Sequence, residues 1–239
     1  WRTIAYYNSA TWLLQIVIIL IGIVLTALLI CRPRPCVKMG MKFYMIGLYS
    51  WISVIYYYIY CEERSYNGVM AMFWGVMAII WIWDTITGYT TFERTHKYDI
   101  LSYILLAMPF IYPLVSLARG LSFPEMTSPV MPCSVVVFTI GLLLLFAHKV
   151  NMFLVLFLCH WSLIGLSKTY FFHIPEDFLL ASASVPALYL FFKEYFLNNL
   201  HKDTEPKAKL INLLLVSVCI ALGVLLTVTM FLELTPLEK

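Results

Sequence analysis

The sequence predicts an all-α fold, a polytopic transmembrane helical bundle with eight spans, or seven on the alternative count. Three observations carry this. Of 239 residues, 62% are hydrophobic and only 12% charged, against roughly 25% charged in soluble domains. Mean hydropathy is +0.86, so too little charge exists to coat a water-facing surface. The apolar stretches also recur at about the 20 residues that cross a ~30 Å hydrocarbon core, and short connectors rich in Pro, Lys and Arg separate them. The net charge of +3 gives no reason to expect nucleic acid as a partner.

Residues 1–10 read as an amphipathic interfacial segment, with Trp1, Tyr6 and Tyr7 as anchors. No cleavable signal pattern is seen, and the first apolar segment is expected to act as its own insertion signal. Span one, about Thr11–Ile30, ends at Arg32-Pro33-Arg34-Pro35, where two prolines oppose helix continuation. Span two, about Met41–Tyr60, closes on Tyr56, Tyr57, Tyr58 and Tyr60, which read as an interfacial aromatic belt. Span three, about Gly68–Thr87, holds Trp74, Trp81, Trp83 and one acid, Asp84. Span four, about Tyr98–Leu117, contains Pro109 and Pro113.

Residues 129–168 predict a hairpin of spans five and six about the His148–Asn151 turn, with a re-entrant pair as the alternative. Span seven covers about Phe178–Phe196, after Pro175-Glu176-Asp177, an acidic cap suited to a helix N-terminus. The chain thus reads as one transmembrane domain, with a seven-span core over 11–196, a hydrophilic connector over 197–209 and an eighth span over 210–232. Connectors on one side hold eleven Lys and Arg against five on the other. By the positive-inside rule both termini lie outside. The basic connectors are then expected to face the cytoplasm.

Asp84 is the foremost functional candidate, because an intramembrane carboxylate is costly unless paired or wetted. Entering at Gly68, it lies ~24 Å in at 1.5 Å per residue. The plain alternative is a side chain that snorkels to the interface or caps the helix beside Thr85 and Thr87. His160, near the middle of span six and beside Cys159, Trp161 and Ser162, has an imidazole that can relay a proton, bind a ligand or simply bridge helices. Asp84, His160, Cys133, Trp161 and Ser162 are therefore the expected lining of a ligand or ion pathway.

Cys133 and Met131 offer soft sulfur to a metal such as Cu(I), although a buried Cys after an N-terminal Pro explains them as well. Lys168, His173, Glu176 and Asp177 form an outer polar cluster, either a gate or a solvated loop with weak ion pairs. Six cysteines show no paired metal or redox spacing. No zinc-protease, phosphate-loop, nucleophile-elbow or dinucleotide motif occurs, so no catalytic residue is assigned and no cofactor is identified.

Three stretches resemble a family of small bacterial inner-membrane proteins of unknown function. They are Trp1 with Tyr7-Asn8-Ser9-Ala10-Thr11-Trp12, Pro132-Cys133 with Phe138-Thr139-Ile140-Gly141-Leu142-Leu143-Leu144, and Trp161-Ser162-Leu163-Ile164-Gly165 with Pro175-Glu176-Asp177. The family's hairpin usually carries Pro-Cys-Pro, and Ser134 stands here in place of the second proline. The resemblance implies a polytopic bacterial protein and no reaction. The first functional expectation is a transporter or channel-like protein for a small solute or ion, and the alternative is a non-catalytic binding or assembly subunit. Its partners would be the lipid bilayer and other membrane proteins or further copies of the chain.

Overall fold

The computed structural model describes residues 2–61, 67–94, 96, 98–146, 148–172 and 177–193, and only the backbone of 166–172. The described chain is helical and has no strand. The hydrophilic connector and the eighth predicted span lie outside the described residues. Among the described residues, three helices are long and apolar enough to cross a membrane: α1 (Arg2–Cys31), α3 (Asn67–Thr87) and α4 (Asp99–Ala118).

Helix α1 corrects the expected boundary after residue 10, because Arg2–Cys31 is one continuous helix of 30 residues. Three of its polar side chains, Asn8, Thr11 and Gln15, turn inward and are buried, while Arg2 and Ser9 near its start are exposed. Leu13, Val17, Leu20 and Val24 face out. That inversion suits a lipid solvent, in which polar groups must find partners within the protein.

The turn after α1 is shorter than expected. α2 (Pro35–Trp51) begins at Pro35 itself, since a proline at the first helical position loses no hydrogen bond and has its φ already set. A π-helical segment, Ile52–Tyr60, continues α2. The tyrosine run is only partly an interfacial belt: Tyr56 and Tyr57 are buried, whereas Tyr58 is 67% exposed. Ser53 Oγ donates to the Ala71 carbonyl at 2.6 Å, which ties the π segment to α3. The buried face of α3 repeats at Met70, Trp74, Met77, Trp81 and Asp84, a three-and-four spacing that keeps one side of a helix inward.

α4 runs unbroken through Pro109 and Pro113. α5 (Pro132–Phe146) is the innermost helix, with 13 of its 15 residues buried. At ~22 Å it is shorter than the hydrocarbon core. Its closest partner is α4, brought near by Gly141. A Cβ at that position would sit 2.9 Å from Leu105 Cβ and 3.0 Å from the Leu106 backbone nitrogen. Gly141→Ala must therefore push the two helices apart, and we expect a loss of about 1–3 kcal/mol in thermal unfolding in detergent. An unchanged midpoint would show that the contact carries no stability.

α6 (Met152–Phe172) returns alongside, and Asn151 caps it by accepting the Phe153 N–H at 3.0 Å. The expected seventh span is two pieces, α7 (Asp177–Ser182) and α8 (Ser184–Phe192). Pro186 has no N–H for the Ser182 carbonyl, and the chain tightens at Ala183, whose N–H reaches Leu180 O at 3.0 Å.

Candidate functional site

Two helices and two connectors build the polar centre of the molecule. Lys42 sits in the second turn of α2 and Asp84 in the last turn of α3, 42 positions apart in sequence. Lys42 Nζ donates to Asp84 Oδ2 at 2.9 Å and to the Asp84 backbone carbonyl at 3.2 Å. The other carboxylate oxygen, Oδ1, accepts the Thr90 N–H at 3.0 Å and the Thr90 hydroxyl at 2.6 Å.

Thr90 Oγ1 in turn accepts the Asn151 N–H at 3.1 Å, and Thr91 N–H reaches Lys149 O at 3.1 Å. The connector after α3 and the turn before α6 are thereby closed over the pair. Asp84 is 0% exposed and Lys42 only 6%. Charges held this deeply lose their hydration, and several hydrogen bonds must replace it. Both oxygens of this carboxylate are so occupied.

The Asp84 side chain therefore neither snorkels to the interface nor caps its helix. Thr85 and Thr87 donate to their own carbonyls four residues back, Trp81 O and Trp83 O. Lys42 is the residue that sequence reasoning missed. It reads as one of several basic residues beside the Arg32–Pro35 turn, and nothing in local spacing links it to Asp84.

His160 lies elsewhere. Its ring is 6.1 Å from Phe73, and Phe73 stands eleven residues, ~16 Å, from Asp84 along α3. Between them is an aromatic core. Tyr49 stacks on Trp74 at 5.1 Å and tilts against Trp81 at 6.5 Å. Trp161 meets Trp74 edge-on at 5.1 Å and Phe73 at 5.3 Å. Trp74 and Trp81 are wholly buried. Ser162 is buried and donates to Leu158 O at 2.9 Å, within its own helix.

Cys133 is half-buried at the start of α5. The Met131 sulfur accepts the Ser128 N–H at 3.4 Å. Among the described residues no three of His, Cys, Asp and Glu come together as a metal site. Of the outer cluster, Asp177 is buried at the start of α7. His173 and Glu176 lie outside the described residues, as does the Lys168 side chain.

A second network holds the opposite end of the bundle. Asn8 Nδ2 donates to Pro124 O at 2.8 Å and Met126 O at 2.7 Å, and Tyr7 OH to Val130 O at 3.1 Å. Gln15 donates to Asn8 Oδ1 and Thr11 Oγ1 and accepts from Ser128 Oγ. These bonds pin the 121–131 connector onto α1.

The Tyr7–Thr11 and Pro132–Leu144 stretches thus occupy the tightly packed parts of the fold. A family described as "Family of unknown function (DUF6064)" matches residues 1–202. The chain belongs to that family. The DUF6064 match takes in every described residue and both polar centres, while residues 203–239 lie outside it. No significant match is found among curated proteins or solved structures.

Proposed function

We propose that this protein is a non-catalytic binding or assembly subunit embedded in a bacterial cytoplasmic membrane, built on eight spans with both termini outside. One observation supports this reading above the transport alternative. The intramembrane carboxylate is closed: Lys42 and Thr90 occupy both oxygens of Asp84. A solute path needs groups that can exchange partners with water or cargo, and this pair is spent on holding α2, α3 and two connectors together. His160 packs against Phe73, eleven residues or ~16 Å from Asp84 along α3, so the two ionisable groups stand apart. Moving Lys42 from the connector tally to the core leaves ten basic residues against five, which still favours the same orientation.

In this reading the broad apolar faces of α1 and α4 meet lipid or partner helices. Exposed Leu13, Leu20, Ile100 and Leu114 carry those faces. The protein extracted from native membranes in mild detergent is expected to migrate in a stoichiometric complex. A monodisperse, partner-free monomer would overturn the proposal. The transport alternative predicts that His160→Ala abolishes uptake of its solute by cells or proteoliposomes, and unchanged uptake would remove it.

A further inference from the structure

A cavity of about 240 Å³ lies between α1, α2, α4 and the start of α5. Its lining is apolar and follows α1 from Ile19 to Ile30. Those twelve residues span ~16 Å, half of the ~30 Å core, so the cavity has the length of one leaflet. Pro129 and Val130 close the end away from the Arg32 turn, and Asn8, Tyr7 and Gln15 hold that connector in place. Its side is open: Ile23 and Phe110 line the cavity and are 47% and 42% exposed, one on α1 and one on α4. A chain dissolved in the bilayer can slide in between these two helices.

The other end of the cavity carries charge. Ile30 stands two residues before Arg32, and Arg32 and Arg34 are exposed at the turn, with Lys38 in the first turns of α2. None of the three makes an ion pair among the described residues. Thr26 belongs to the lining, six residues, ~9 Å, from Arg32, and its Oγ1 is buried with no hydrogen-bond partner among the described residues.

We infer that the cavity binds one acyl chain of an anionic phospholipid from the leaflet on the arginine side, with the phosphate on Arg32 and Arg34. At about 30 Å³ for each water-sized group, the cavity holds about eight such groups, enough for one stretch of a single chain and too little for two chains. Guanidinium is suited to phosphate through its planar fork of donors, and juxtamembrane basic residues draw anionic headgroups. This inference rests on the membrane placement proposed above but not on the assembly role.

The test uses the delipidated protein in detergent, with palmitoyl-oleoyl phosphatidylglycerol or the matched phosphatidylcholine added. Bound lipid is read by native mass spectrometry and the unfolding midpoint by thermal melt. The expected result is at least tenfold preference for phosphatidylglycerol, with a midpoint rise that inorganic phosphate does not reproduce. Arg32→Gln/Arg34→Gln is expected to remove the preference while leaving weak binding of both lipids. Ala27→Trp, at an exposed position on the cavity's open side, is expected to remove binding of both, and Ala27→Leu serves where the larger side chain prevents folding. Equal retention of the two lipids by the natural sequence, or a preference that survives the double arginine change, overturns the inference. So does undiminished binding in the Ala27 variants. A chain that stays in aqueous solution without detergent instead overturns the membrane placement itself.

Discussion

Lys42→Met is expected to destabilise the protein by about 3–5 kcal/mol, because it strands the fully buried Asp84 carboxylate without its ammonium partner. For a domain of this size that is a fall of about 6–20 °C in the unfolding midpoint. Thr90 alone cannot compensate, since its N–H and hydroxyl both address Oδ1 and leave Oδ2 bare. The pair itself is worth much less than its breakage, because two charges taken from water lose most of what their attraction returns. Lys42→Met/Asp84→Asn is therefore expected to recover at least half of the loss. The asparagine oxygen still accepts from Thr90, and no uncompensated charge remains. Thermal or denaturant unfolding of the four species in one detergent completes the cycle. A single variant within about 1 kcal/mol of the natural sequence would mean that the ion pair is wet and exchangeable. That outcome would return Asp84 to the transport alternative.

Trp74→Ala should cost a similar amount, about 3–5 kcal/mol, by a different mechanism. Trp74 is 0% exposed and touches Tyr49, Tyr57, Phe73 and Trp161, which come from α2, the π segment, α3 and α6. In lipid, helices hold together by close packing because the tails outside are as apolar as the core. A void at this junction removes contacts from three separate elements at once. Trp74→Phe keeps a ring against Tyr49 and should lose less than half as much. Near-ultraviolet circular dichroism and unfolding midpoints read both variants. If alanine is tolerated with the aromatic signal intact, the stacked cluster does not exist as described.

Much of the helical architecture was legible in the length and composition of the apolar runs. The limits of α3 and α4 follow from apolar runs between polar connectors, and they match the expected spans three and four within a residue or two. The inward face of α3 is also readable, as Trp74 and Trp81 repeat at seven. The alternation of helix types is not. Ile52–Tyr60 winds as a π-helix, with Ser53 set against Ala71 and Gly75 of α3, and its tyrosines read locally as an interfacial belt. Pro186 is a visible breaker, but a proline alone does not decide between a continuous helix and a break. α4 carries two prolines without interruption, whereas α7 and α8 part at one.

The candidate site divides in the same way. Asp84 stood out from sequence because a lone carboxylate in an apolar run must have a reason. Lys42 did not, because a lysine a few residues beyond a basic turn satisfies the positive-inside rule without any partner. Only the packing of α2 on α3 brings Nζ to 2.9 Å from the carboxylate and turns an apparent connector charge into a core one. His160 shows the reverse, an apparent pathway residue placed by tertiary contacts beside Phe73. What the amino-acid sequence determined by itself was the helical class, the apolar segments and the one acid that needed explanation. Each of these follows from transfer free energies and helical spacing acting over a few turns. Only the tertiary structure decided which groups meet, because pairing across 42 positions depends on helix packing that local spacing does not encode.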